Sequence, residues 1–190
     1  MALNDSEVEI KIPVDEKEFL RVRDQLKETA VFRGQTKQTD EYFMPIHRNF
    51  LSPKYPFEWL SIRKRGKCLL NYKYFHPENS EVHTHCDEFE TEVSDMDKLR
   101  KIFDALNIES IVTVEKEREL YSHGDFEIAL DTVKDLGRFI EIEAAADFGS
   151  IEAARKKIIE IAKTLGLDVS KKDERGYPYR LLEKKRLATK

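Results

Sequence analysis

The stretch FEIALDTVKDLGRFIEIEA, residues 126–144, decides how the chain is read. In its first arm Glu127, Ala129 and Asp131 share one face and Ile128 and Leu130 the other; in its second, Glu141 and Glu143 oppose Ile140 and Ile142. This period of two predicts strands from Phe126 to Thr132 and from Arg138 to Ala144, the second entered after Leu136-Gly137. A further strand, Ile111 to Tyr121, precedes them across the turn residues Ser122, His123, Gly124 and Asp125, so the region reads as an antiparallel meander.

The same alternation recurs towards the N-terminus. Glu7, Glu9 and Lys11 oppose Val8, Ile10, Ile12 and Val14, which predicts one strand from Glu7 to Val14. Asp15 and Glu18 have capping-box spacing, and Phe19, Val22 and Leu26 carry a helix up to about Ala30. Short strands are expected over Val31 to Gln35 and Gln38 to Met44, then a surface loop with Pro45, Pro53 and Pro56. A hairpin of Phe57 to Lys64 and Cys68 to Tyr74 turns near Gly66, and another strand runs from His83 to Val93. Ser94 caps a helix through Leu99, Ile102, Phe103 and Leu106; a helix from Ser150 ends at Gly166; a short one spans about Tyr179 to Lys185 before a basic tail. The strand-to-helix echo between the halves hints at an internal duplication, but the side chains scarcely match beyond the pattern. No low-complexity linker interrupts the chain, so one domain over 1–190, folded from about 7 to 183, is expected.

Composition narrows the function. The 190 residues hold 33 Lys and Arg against 37 Asp and Glu, a net charge of −4, which disfavours a non-specific nucleic-acid binder or a basic membrane anchor. With 40% hydrophobic residues the chain should fold. Met1 to Ser6 has neither a basic nor an apolar leader segment, and no run approaches the roughly 18 apolar residues of a membrane span, so a soluble, cytoplasmic protein is expected. Cys68 and Cys86 have no C-x-x-C spacing and fit a reducing compartment. His83-Thr84-His85-Cys86 lacks a complementary pair elsewhere in the sequence, so it reads as strand residues rather than a zinc cluster. Arg63-Lys64-Arg65-Gly66-Lys67 reads as a strand and its turn, and Trp59 as a sheet-packing residue. No G-x-x-x-x-G-K-[ST] loop occurs.

One face of most strands is charged. Ser61, Arg63 and Arg65 oppose Leu60 and Ile62; Asn71 and Lys73 oppose Leu70, Tyr72 and Tyr74; Lys116 and Arg118 fall in the run from Val112 to Leu120. A sheet of about eight such strands can close with its apolar face outward beneath helices and its polar face around an aqueous tunnel. The lining would set Lys11, Arg63, Arg65, Lys73, Lys116 and Arg118 against Glu7, Glu9, Glu88, Glu90, Asp131, Glu141 and Glu143. Enclosed charges persist only when paired or liganded, so the near balance is meaningful. Cations at this density suit a polyanion, and carboxylate clusters suit a hard divalent ion; phosphate chains with Mg²⁺ or Mn²⁺ satisfy both.

Glu7-Val8-Glu9-Ile10-Lys11 resembles the E-x-E-x-K opening, and Asp131 to Glu143 the D-x-V-x-x-L-G-x-F-x-E-x-E segment, of the CYTH superfamily, the triphosphate tunnel metalloenzymes. Arg63 and Arg65, Lys73, Lys116 and Arg118, and the terminal Tyr177-Pro178-Tyr179-Arg180-Leu181-Leu182 extend the likeness, which is greatest to the class IV adenylyl cyclase-like branch. The resemblance implies an α+β fold: a closed eight-stranded antiparallel β-barrel with flanking helices. It implies that Lys11, Arg63, Arg65, Lys73, Lys116 and Arg118 hold a triphosphate, and that Glu7, Glu9, Glu141 and Glu143, with Asp131 and Glu90, ligate Mg²⁺ or Mn²⁺. Lys11, Glu7 and Glu9 would stand at the chemistry. The expected activity is metal-dependent hydrolysis of inorganic triphosphate or nucleoside triphosphates. The alternatives are a class IV adenylyl cyclase making cyclic AMP and pyrophosphate, and a non-catalytic polyphosphate or nucleotide sensor. The expected partner is a small triphosphate, with no nucleic acid and no membrane; a homodimer is compatible with the sequence.

Overall fold

The computed structural model describes residues 6–173 and 175–188. The reading of Met1 to Asp5 and the last two residues of the basic tail lie outside the described residues. The elements are β1 (Ser6–Glu7), β2 (Glu9–Val14), α1 (Glu16–Thr29), β3 (Val31–Pro45), β4 (Glu58–Arg65), β5 (Lys67–His76), β6 (His85–Glu92), α2 (Met96–Ala105), β7 (Ile108–His123), β8 (Phe126–Val133), β9 (Gly137–Ala144), α3 (Ile151–Thr164), a 3₁₀ turn (Val169–Lys171) and α4 (Gly176–Ala188).

The strands form one antiparallel sheet in the order β1-β6-β5-β4-β3-β7-β8-β9-β2. Its two terminal strands are neighbours in sequence, divided only by Val8. Glu7 pairs with Cys86 of β6, whereas Glu9 pairs with Glu143 of β9. A single extended stretch therefore bridges both edges of the sheet and brings it to near closure, which satisfies edges that would otherwise template pairing with other chains. Among the described residues the count is nine strands where eight were expected, because that stretch changes partners at Val8 instead of pairing with one neighbour.

Other boundaries move for local reasons. The two short strands expected before Pro45 are one strand, paired with β7 along its length, with a register shift between Phe32 and Gly34. The second helix is capped by Asp95 rather than Ser94, since the Asp95 carboxylate accepts from the Lys98 amide at 2.9 Å. Asp15 and Ser150 cap α1 and α3 as their spacing predicts. The final helix begins at Gly176 and takes the basic segment through 188 into its length. The loop after Pro45 is exposed from Ile46 to Asn49, but Phe50 and Pro56 are buried.

The apolar strand faces point outward. Ile10, Ile12, Ile128, Leu130, Ile140 and Ile142 pack beneath Phe19, Val22 and Leu26 of α1 and Ala154, Ile158 and Ala162 of α3. Each fully buried isoleucine contributes about 1.5–3 kcal/mol. On another side Phe103 of α2 covers Phe43 and Ile62. No described helix is long and apolar enough to cross a membrane.

Candidate active site

With the apolar faces committed to the helices, the alternate residues line a cavity of about 660 Å³. One end is not polar. Along β7 the inward positions run Val112, Val114, Lys116, Arg118, Leu120, and the first two join Val133, Phe139, Tyr177 and Leu181 in a buried cluster. Helix α4 thus packs against the inner rather than the outer wall and fills that end. The helix was expected among the flanking ones; the switch from valine to cation along one strand face is the signal that could have placed it.

The charged residues fall into three groups. In the first, Lys11 Nζ lies 2.5 Å from Glu9 Oε1 and 2.9 Å from Glu141 Oε2, and Arg118 Nη2 lies 3.0 Å from Glu141 Oε1. Arg118 also grips Asp131 through two bonds, and Tyr177 donates to the same carboxylate. Asp131, expected among the metal ligands, therefore has both oxygens engaged by protein donors. In the second group Asp40 receives Arg63 Nε at 2.9 Å and faces Lys116 Nζ at 3.5 Å. In the third Lys73 contacts Glu7 and, at 3.3 Å, Glu88, while Asn71 donates to Glu88. Arg65 and Glu90 pair at 3.5 Å at the rim, where both are exposed.

Asp40 was missed by sequence reading, although it follows from the alternation of β3: Asp40 and Tyr42 point inward while Glu41 points out to Arg100. Asp40 and Arg63 are directly opposite across β3–β4. Trp59, expected to pack in the sheet, faces the cavity with its ring edge-on to Tyr42, 5.7 Å between centroids.

Electrostatics separate the groups. Burial works against the Lys11 ammonium, but Glu141 and Glu9 more than reverse this and hold it firmly protonated. Burial and then Arg118 push Lys116 down to about 8. Burial opposes the Glu141 carboxylate, yet Arg118 and Lys11 hold it well below the usual range. Glu143 behaves oppositely: burial, then Glu7, Glu9 and Glu141, push it up to about 8. Carboxylate oxygens of Glu9, Glu141 and Glu143 lie within 4.8 Å of one another. An all-oxygen cluster whose members repel one another this strongly fits a hard divalent cation.

The chain matches the model of the CYTH domain over residues 5–177. It belongs to the CYTH family. A Methanocaldococcus jannaschii protein with the provisional name adenylate cyclase is 32% identical over 164 residues, 85% of this chain and 90% of that protein. The PH1819 protein of Pyrococcus horikoshii has a solved structure of the same fold, with a TM-score of 0.78 and 32% identity over 94% of this chain and 99% of that one. A provisional adenylyl cyclase of Hippeastrum, reported to show a dominant triphosphatase activity, shares the fold at a TM-score of 0.64 and 18% identity, over 94% of this chain and 95% of that one. The PH1819 structure covers this chain nearly end to end, so the fold that surrounds the cavity is shared with it.

Proposed function

We propose that this CYTH protein is a divalent-metal-dependent phosphohydrolase that cleaves inorganic triphosphate, and nucleoside triphosphates with it, into diphosphate-length products and phosphate. The observation that carries the reading is the seam of β2 and β9. Glu9 pairs with Glu143 and Lys11 with Glu141, so three clustered carboxylates face Arg63, Lys116 and Arg118 across one cavity.

Phosphoryl transfer asks the protein mainly to align reactants and to neutralise charge on phosphate oxygens. Arg63 and Arg118 present forked donors to non-bridging oxygens, each braced by a buried aspartate, Asp40 and Asp131 respectively. Lys11, Lys73 and Lys116 add compact charge, and Arg65 extends the cationic lining to the mouth. Glu9, Glu141 and Glu143, with Glu7 beside them, would hold Mg²⁺ or Mn²⁺, which would supply positive charge against the phosphate and lower the pKa of water. Asp131 serves Arg118 rather than the ion. Without substrate the cations and carboxylates neutralise one another, so the cations would exchange carboxylate partners for phosphate oxygens on binding.

A cyclase reading has its own support: the provisional name of the M. jannaschii relative, and the Trp59 and Tyr42 rings in the cavity, against which a base could stack. The Hippeastrum protein carries a cyclase name together with triphosphatase activity, so a name does not choose between them. Product analysis does. With Mg²⁺ or Mn²⁺, inorganic triphosphate should yield diphosphate and phosphate, with little cyclic AMP from ATP. Cyclic AMP and pyrophosphate as the main products, with inorganic triphosphate only inhibiting, would replace the hydrolase by a cyclase. Tight binding with no turnover of either would make the protein a sensor.

A further inference from the structure

We propose that His76, His85 and Asp87 form a second metal site, on the outer face of the β5–β6 ribbon, for a borderline first-row transition ion of the Zn²⁺ class. His76 and His85 are directly opposite in the register of the two strands, and Asp87 lies two residues beyond His85 on the same face. The intervening Cys86 is buried, and Glu88 lines the tunnel. The complementary pair that the His83-Thr84-His85-Cys86 sequence lacked is thus supplied by the neighbouring strand and by Asp87. One ligand atom from each of the three residues falls within 4.8 Å of the others.

Two imidazoles and a carboxylate, half-exposed, make the donor set of an open Zn²⁺ site, unlike the all-oxygen cluster in the tunnel. Hydrogen bonds around the set orient it. The Thr84 hydroxyl donates to the His76 carbonyl at 3.2 Å, which commits its single proton, so at 2.9 Å it accepts from Nδ1–H of His85. The lone pair of His85 is left on Nε2, available to an ion. Ser6 Oγ donates to Asp87 Oδ1 at 3.2 Å, leaving Oδ2 to face His76 Nε2 at 2.9 Å. Arg155 of α3 donates to the His83 and Thr84 carbonyls, which fixes the backbone leading into His85.

The two rings stack at 4.8 Å with an interplanar angle of 15°. A tetrahedral ion with bonds of about 2.0–2.1 Å draws its ligand atoms to about 3.3 Å apart, so atoms already within 4.8 Å of one another on half-exposed side chains need close by no more than about 1.5 Å. The position gives the ion a structural role. Ser6 and Asp87 are register partners in β1–β6, the shortest seam of the barrel, so an ion held by Asp87, His76 and His85 staples the closure from outside. It binds the native chain and thereby stabilises it.

The test uses the full chain in millimolar Mg²⁺, which keeps the tunnel carboxylates occupied. Calorimetric titration with Zn²⁺ should give one site per chain and a rise in thermal midpoint, and Co²⁺ should show the visible bands of four- or five-coordination. His76→Gln and His85→Gln should each weaken Zn²⁺ at least tenfold, and Thr84→Val several-fold, with Mg²⁺-supported activity and far-ultraviolet circular dichroism unchanged. Zn²⁺ binding that is equal in the histidine variants, or that is lost in Glu9→Gln, would overturn the site. So would the absence of any Zn²⁺ binding below millimolar concentration.

Discussion

Arg118 and Asp131 are directly opposite across the β7–β8 seam and share two bonds, Nε to Oδ1 at 2.8 Å and Nη2 to Oδ2 at 2.6 Å. The carboxylate is fully buried, and Tyr177 Oη of α4 donates to Oδ2 at 2.8 Å. One guanidinium at the cavity is therefore aimed by two strands and by a helix from the far end of the chain. Free rotation of Arg118 would cost entropy on each binding event; the buried pair removes that cost beforehand.

Asp131→Ala should destabilise the protein by about 3 kcal/mol, the low end for breaking a buried pair because Arg118 borders a wet cavity. Asp131→Asn, which retains an acceptor, should cost less. Urea unfolding gives the two midpoints, and KM for triphosphate should rise in both variants as Arg118 loses its alignment.

Glu9→Gln should raise the Mg²⁺ or Mn²⁺ concentration for half-maximal activity at least tenfold with little change in thermal midpoint. Glu141→Gln should do the same and also lower stability, because Glu141 neutralises both Lys11 and Arg118. Activity that persists in both variants at limiting metal would remove these residues from the ion site.

Binding should depend on pH with two opposed arms. Lys116 titrates near 8 in the native chain against an ordinary 10.5, so between these values the unfolded chain binds the proton and the native chain does not. Native stability gains from this group as pH rises through that window, and below it the cost of the buried charge is carried in full. Triphosphate selects the ammonium form, so its affinity should fall above about pH 8, an inflection that Lys116→Arg abolishes. Glu143, raised to about 8 from an ordinary 4.5, holds a proton that a divalent ion must displace. Its stabilising effect is lost as pH rises through the native value, and metal affinity should climb by up to about tenfold per pH unit until then. Calorimetric titrations with metal alone and with triphosphate alone separate the arms.

Ile10→Asp should abolish folding or leave an aggregating chain, since Ile10 is buried beneath the helices and a carboxylate there has no partner. Soluble yield and circular dichroism measure this. A stable, active variant would reverse the assignment of faces.

Much of the site could be read from alternation. A period of two ties each side chain to a face, so once Ile140 and Ile142 are taken as core, Glu141 and Glu143 must share the other side, and the same logic places Arg63, Lys73 and Arg118. Asp40 was equally available on β3 and was overlooked because that stretch is polar on both faces, which blurs the choice of inward side. The partner of an inward residue is another matter. Asp131 reads in sequence as one more carboxylate of an acidic face, and only the register that sets it against Arg118, with Tyr177 above it, occupies its oxygens.

Local sequence by itself determined where extended chain occurs, the caps at Asp15 and Ser150 and the sidedness of the charge on most strands, because these depend on neighbours within a few residues. Tertiary structure alone decided that Val8 divides one strand between two edges, that the first turns of α4 plug one end of the barrel, and that His76 meets His85 and Asp87 on its outer wall. Each of these depends on which strands pair and in what register. Closing the sheet sets that register over the whole chain, and no short window of sequence contains it.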